Sequence, residues 1–281
     1  MRANKFCRVD KETDLTAIQM YKQGKSLTQI SKELGLDRPS LSKRLQKQGL
    51  KLRDNRIYSV DLQYFAEIDD EHKAYWLGFI LADGTVQDKY KRHVFEITLK
   101  EEDSYMLEIL KSDIQSNAPI CDKIVTLNGY QYPASRFTVS SKEFVANLVK
   151  CGCVPNKTKV VRVLDGIVSD DLMNHFVRGY FDGNGCIGIT STRKPSDVTV
   201  SIGSGSVQMM EDLWNIIANQ TGLCFRDVSK SSTYYEMRLF SIDDKLEFLK
   251  YIYNNATVYL ERKHKKYMQF AAMRRRPSKF S

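Results

Sequence analysis

No stretch of about 18 consecutive apolar residues occurs in this sequence, so nothing in it is expected to span a membrane. Met1 to Lys11 is polar and basic without an apolar core, which is not the pattern of a secretory signal. Cysteine is sparse, with six residues at 7, 121, 151, 153, 186 and 224. Cys151 and Cys153 form a C-x-C pair, yet no second Cys/His pair stands at zinc-finger spacing; reduced thiols in a cytoplasmic protein are the better reading than a metal site. The histidines, His72, His93, His175 and His264, fall into no metal-ligand or HNH spacing. No splice-junction pattern flanks the chain to suggest an intein. What remains is a hydrophobic content of 42% over 281 residues, ordinary for a globular protein and sufficient for two or three modest domains.

Charge is unevenly placed. Residues 1–56 contain 14 Lys/Arg against 6 Asp/Glu, whereas the remaining 225 contain 29 against 28. Nearly all of the formal net charge of +9 therefore belongs to a small N-terminal module. Such a module suits contacts to phosphate.

Within it, Leu15 to Gln23 reads as a helix stopped at Gly24. Ser26 followed by Gln29 is a capping-box pattern, in which the Ser side chain caps the helix start and the Gln reaches back. Leu27, Ile30 and Leu34 share one face of the next helix, which ends at Gly35. Asp37 caps a third, with Pro39 in the first turn, where its missing N–H costs nothing. Leu41 and Leu45 face inward there. The pair joined by Gly35-Leu36 resembles a helix-turn-helix of the resolvase or winged-regulator type, whose second helix enters the DNA major groove. Arg38, Ser40, Lys43 and Lys47 are the expected DNA-contacting residues, with Lys51, Arg53 and Arg56 as a basic linker on phosphates. Acidic residues from Glu67 to Glu71 mark the next boundary.

The rest of the chain repeats itself. Trp76 to Gly84 and Val177 to Gly185 align without gaps at an offset of 101 residues. Small residues recur at the third and seventh places, Gly78 and Ala82 in one, Gly179 and Gly183 in the other. Strand-like segments follow at 94–99 and 198–202, then helices at 102–115 and 207–221. Strand pairs come next, at 120–127 with 131–139 and at 223–229 with 234–240. Asn128-Gly129 between the first pair is a strong hairpin signal. Helices from Lys142 and from Asp243 close the units, and the order α-β-β-α-β-β-α is expected twice. Small residues four apart let two helix backbones approach closely, so the segments are expected to pack on a pseudo-twofold axis with Asp83 and Asn184 side by side. The glycine after each is expected to take a left-handed turn into the sheet. The expected fold is α+β: two antiparallel sheets forming a saddle, preceded by an all-α module. The expected divisions are 1–56, 65–165, 166–272 and a basic tail at 273–281.

The two nonapeptides resemble the paired signature of the LAGLIDADG homing endonucleases, over roughly residues 65–272. With the module in front, the chain is similar to members found in phage and intron settings. The resemblance implies a monomer that binds a double-stranded DNA target site and hydrolyses phosphodiesters with a divalent metal, usually magnesium. The metal would be held at the acidic position ending each motif, here Asp83 and Asn184. Hard cations take oxygen ligands, and metals neutralise charge on attacking and leaving oxygens. Asparagine departs from the pattern: it offers a neutral oxygen and no charge. Asp182 is turned about 200° away on the helix and is a poor substitute. Three readings stay open: an engineered inactive variant, favoured because the rest of the motif is intact; a nickase; and a non-cleaving regulator or intron-RNA maturase. The resemblance also implies a basic residue beside each site. Lys157 and Lys263 fit, 13 and 15 residues beyond Phe144 and Phe248. Arg136 and Arg238, on the last strands with Glu96, Thr98, Thr138 and Ser201 nearby, are expected to face DNA. Arg274, Arg275 and Arg276 are read as a flexible phosphate contact.

Overall fold

The computed structural model describes residues 11–23, 25–50, 52, 58–191, 195–223, 228–231 and 234–274. Gly24, Lys51, Arg53, Arg56, Arg275 and Arg276, singled out above, lie outside them. Two compact units result, Met1–Arg56 and Ile57–Ser281.

The first unit has three helices, α1 (Lys11–Lys22), α2 (Leu27–Leu34) and α3 (Arg38–Lys47). Their capping follows the sequence. The Ser26 hydroxyl accepts from the Gln29 N–H while the Gln29 side chain accepts from the Ser26 N–H, and the Asp37 carboxylate accepts from the Ser40 N–H. Gly35 ends α2 at φ +61°, the left-handed conformation that glycine adopts without steric penalty. Ala17, Tyr21, Leu27, Ile30, Leu41 and Leu45 form its small core.

The second unit is built from two copies of one arrangement. In the first, α4 (Glu71–Asp83) leads into β1 (Thr85–Lys89), β2 (Arg92–Lys100), α5 (Tyr105–Asp113), β3 (Cys121–Leu127), β4 (Tyr130–Ser140) and α6 (Lys142–Lys150). In the second, α7 (Met173–Asn184) leads into β5 (Gly185–Ile189), β6 (Val198–Ser204), α8 (Val207–Thr221), β7 (Val228–Ser231), β8 (Tyr234–Leu239) and α9 (Ile242–Tyr253). Each copy has a four-stranded antiparallel sheet, in the order β1-β2-β4-β3 and β5-β6-β8-β7. The tight turn at Asn128-Gly129 has φ of 52° and 82°, as a two-residue hairpin requires.

Three details differ from the sequence reading. The helix expected from 102 is interrupted: a single 3-10 turn at Glu101–Asp103 precedes α5, and Asp103 turns inward to Arg262. The strand expected over 223–229 extends to Ser231 and is described from Val228, with 224–227 outside the described residues. An unexpected helix, α10 (Glu261–Arg274), follows α9.

The sheets bury alternate residues, as strand geometry demands. Phe95, Ile97, Leu99, Phe137 and Val139 point into the core of the first sheet, and Val200, Ile202, Met237 and Leu239 into that of the second. The opposite faces carry polar side chains such as Thr98, Arg136, Thr138 and Arg238, joined on the first sheet by exposed Leu127, Tyr130 and Tyr132.

Candidate DNA-cleavage site at the helix pair

The packing of α4 on α7 builds the centre. A Cβ added at Gly78 would come within 2.8 Å of the Tyr180 nitrogen and overlap the Phe176 carbonyl. One added at Gly179 would lie 2.8 Å from the Tyr75 carbonyl carbon and 2.9 Å from the Phe79 nitrogen. These are backbone atoms, which cannot swing aside. Ala82 meets Gly183 one turn further on, and the Asp83 carboxylate lies 3.3 Å from where a Gly183 Cβ would be. The small residues thus bring the ends of both motifs, Asp83 and Asn184, to one place.

The glycines after each motif are not left-handed. Gly84 has φ −73° and ψ 155°, and Gly185 φ −88° and ψ 163°, both extended. Their need is for space: a Cβ on Gly84 would stand 2.8 Å from the Ile80 carbonyl oxygen, and one on Gly185 2.5 Å from that of Phe181.

Asp83 reaches solvent. Protein packed around it raises its pKa by partial desolvation, while Lys263, Lys157 and Arg262 pull it down and Asp103 adds to the rise. Lys157 lies at the end of α4, its ammonium 3.5 Å from the Ala82 carbonyl. Burial lowers its pKa, opposed by Cys153 and Asp83.

Lys263 takes the matching place at the end of α7 but is far more enclosed. It lies within α10, is 3% exposed, and donates to the carbonyls of Phe181, Asp182 and Gly185 at 2.7, 2.7 and 2.6 Å. All three ammonium hydrogens are thereby engaged. Its charge reaches Asp83 through space, while its N–H groups close the carbonyl end of α7. Burial pushes its pKa down to about 8.

Asp182 points into the core, away from Asp83. It accepts from the Tyr253 and Tyr75 hydroxyls at 2.6 and 3.0 Å and from the Leu260 N–H at 2.7 Å. Burial raises its pKa against the pull of Lys263 and these donors. Arg178, fully buried in the same motif, bonds Glu71 at 2.7 Å and the carbonyls of Val258 and Ile252 at 2.9 Å each. These two residues tie α7 to α4 and to the segment between α9 and α10. The sequence reading did not find that clasp.

Register puts Arg136 opposite Thr98 and Arg238 opposite Ser201, on the polar faces of their sheets. Glu96 faces Thr138 on the first of these. Arg136 stands 3.6 Å from Glu96, and Arg238 is bonded to Glu236 at 2.7 Å. Ser201 is largely covered. In the N-terminal unit Arg38, Ser40, Lys43 and Lys47 are exposed on α3. The Ser40 hydroxyl is engaged with Asp37 at 3.0 Å.

For magnesium, the available oxygen donors are the Asp83 carboxylate and the Asn184 amide. Magnesium keeps several waters and binds through one or two carboxylates plus substrate phosphates, so this set fits one ion on the Asp83 side. The Asn184 side supplies no negative charge. Among the described residues no cluster of three or more His, Cys, Asp or Glu side chains is placed to hold a metal without substrate. Cys151 and Cys153 are buried, and burial raises their thiols to about 11 and about 12. Among the described residues no helix is long and apolar enough to cross a membrane.

No protein-family model matches the chain, and no curated protein matches it. Solved structures do. The homing endonuclease I-WcaI, bound to its DNA recognition sequence, is 15% identical and superposes at a TM-score of 0.52, covering 79% of this chain and 97% of its own. The LAGLIDADG homing endonuclease I-LtrWI bound to target DNA (16% identity, TM-score 0.46) covers 76% and 91% of the two chains. I-DmoI in complex with DNA and Mn (17%, TM-score 0.45) covers 69% and 99%. With its paired motif helices and two four-stranded antiparallel sheets, this chain has the fold of the LAGLIDADG homing endonucleases.

Proposed function

We propose that this chain is a sequence-specific double-stranded DNA endonuclease, dependent on a divalent metal such as magnesium, in which Asn184 impairs double-strand cleavage. The observation that carries this reading is the α4–α7 contact, which sets Asp83 and Asn184 together between two sheets with polar open faces. Arg136 and Arg238 would bind phosphates or base edges, exchanging their present carboxylate partners for the duplex. Residues 1–56 would act as a helix-turn-helix, with Arg38, Lys43 and Lys47 of α3 against DNA and Lys51 and Arg53 on the linker. The assembly would work as a monomer, since both motifs are in one chain.

Asp83 would hold the metal, with the Asn184 amide oxygen as a neutral neighbour. When bound, the metal activates water and neutralises charge developing on the phosphate oxygens. Lys157, beside Asp83, would stabilise the same charge. Lys263 would fix the end of α7 and contribute its field. Asn184 also favours a second reading, a non-cleaving DNA-binding regulator on the same fold.

A plasmid-nicking assay with magnesium separates the two, on a target first enriched from a random duplex pool. Asn184→Asp is expected to raise double-strand cleavage by about 10²-fold or more, the effect of restoring a main electrostatic stabiliser. Equal cleavage by both proteins overturns the shared-metal reading.

A further inference from the structure

Beside Asn184 lies a pocket of about 220 Å³, several times the roughly 30 Å³ occupied by one water. Its polar lining includes Lys157, Thr158, Tyr180, Asn184 and Ser204, and no carboxylate. Tyr180 is 1% exposed, and its hydroxyl makes no hydrogen bond of acceptable geometry. Burial raises its pKa, Ser204 and Asn184 lie close enough to oppose the rise, and the Asp83 carboxylate adds to it. A buried hydroxyl without a partner costs about 1–3 kcal/mol, so its retention points to something that it meets in use.

The other groups share one polarity. Lys157 spends one donor on a long contact to the Ala82 carbonyl and keeps two. The Ser204 hydroxyl accepts from the Ser206 N–H, which leaves its own hydrogen to donate. The Asn184 amide brings two N–H groups. A cation would meet the Lys157 ammonium and, within the lining, no carboxylate, Asp83 standing outside it. An oxyanion would meet a cation and several neutral donors.

The two repeats differ at this place. Gly203 stands two residues past Ser201, which pairs with Arg238; the matching place two past Thr98, which pairs with Arg136, is Lys100. Lys100 is ion-paired with Glu102 and lies 3.9 Å from Asp103. A side chain at 203 would run into the Tyr234 ring, and one at 205 would stand 2.6 Å from the Thr158 carbonyl oxygen. The first repeat thus has a charged side chain where the second has a glycine, and Gly203 and Gly205 leave the second place without side chains.

We infer that this pocket is a phosphate-oxyanion site, in which Lys157, Tyr180, Ser204 and Asn184 bind a phosphodiester of DNA directly, without a bridging metal. The identification of the phosphate as DNA's rests on the function proposed above. The two ends of the motif pair would then differ in task, with the Asp83 side hydrolysing its strand, the Asn184 side gripping the other, and Lys157, near both, serving each.

The test uses the full chain in EDTA, with inorganic phosphate as the probe and ionic strength held with chloride. Thermal unfolding is followed for wild type, Tyr180→Phe, Asn184→Asp and Lys250→Ala. Phosphate is expected to raise the wild-type melting temperature. Lys250→Ala, at an exposed lysine of α9, controls for general attraction to surface lysines and is expected to leave the pocket-dependent rise in place. Tyr180→Phe is expected to melt higher without phosphate, having lost an unpartnered hydroxyl, and to bind phosphate about tenfold or more weakly, as loss of a hydrogen bond to a charged group implies. Asn184→Asp is expected to abolish the effect, because a carboxylate repels phosphate. Equal phosphate stabilisation of wild type, Tyr180→Phe and Asn184→Asp, or none in wild type, overturns the site. Duplex binding is measured alongside: DNA bound without the phosphate effect sinks this site alone, and the phosphate effect without DNA bound supports the site and sinks the function.

Discussion

Replacing Gly179 with alanine tests the helix pair on which the catalytic reading depends. The new methyl would stand 2.8 Å from the Tyr75 carbonyl carbon and 2.9 Å from the Phe79 nitrogen, and would overlap the Tyr75 oxygen. Carbon contacts are comfortable at about 3.5–4.0 Å, and the overlapped oxygen is nearer still, so α4 and α7 must part by about 1 Å or more. A gap of that size forfeits about half of the dispersion energy across the interface. Overpacking of this kind costs about 1–3 kcal/mol, and facing backbone on both flanks puts Gly179 at the upper end. Helix propensity acts in the other direction, favouring alanine by about 1 kcal/mol. The net loss is then about 2 kcal/mol. For a unit the size of Ile57–Ser281 this lowers the melting temperature by about 4–8 °C. Made on top of Asn184→Asp, the substitution should also reduce cleavage by about 10²-fold, through displacement of Asp83 from position 184. Thermal unfolding followed by circular dichroism decides the sign. A Gly179→Ala protein as stable as wild type or more so would mean that the helices do not meet there.

Three further outcomes are expected. Deleting residues 1–56 should weaken DNA binding and flatten its salt dependence by about one unit of slope for each phosphate that the module neutralises, measured by fluorescence anisotropy over a salt series; an unchanged slope would remove that module from the interface. Asp182→Ala leaves three buried donors without an acceptor, at about 1–3 kcal/mol each, so urea unfolding should show a loss above about 3 kcal/mol, and a smaller one would contradict the buried clasp. Lys263, pushed down to about 8, binds its proton less tightly folded than unfolded, where lysine titrates near about 10.4. Between those values the unfolded state holds more protons, so this group makes stability rise with pH across that window; below it the penalty is fully present. Lys263→Met should abolish that rise, and a pH profile unchanged by the substitution would show that the ammonium is not desolvated as described.

Much of this protein is local, and local chemistry is written in the chain. The caps at Ser26 and Asp37, the left-handed Gly35 and the Asn128-Gly129 turn each depend on a few neighbouring residues, and all take the conformations that those residues favour. The repeated nonapeptide revealed the twofold plan, because small residues four apart mean close helices wherever they occur. Distant groups decided the rest. Gly84 and Gly185 look like left-handed caps in sequence, yet crowding from Ile80 and Phe181 in the preceding turn is what demands glycine there. The helix α10 was hidden because one of its core positions, between Leu260 and Phe270, is the buried Lys263, a charge where the helical pattern calls for an apolar side chain. That lysine is tolerated only because three carbonyls at the end of α7, about 80 residues away in the chain, accept its hydrogens. Tyr180, Ser204 and Lys157 likewise belong to three distant segments, and no spacing rule joins them. The elements, their repetition and the residues ending each motif are therefore legible along the chain, since each depends on near neighbours. The packing of one repeat against the other settles which of the nearby charges face Asp83, which are consumed as internal caps, and where a pocket remains, because those outcomes depend on distances between groups far apart in sequence.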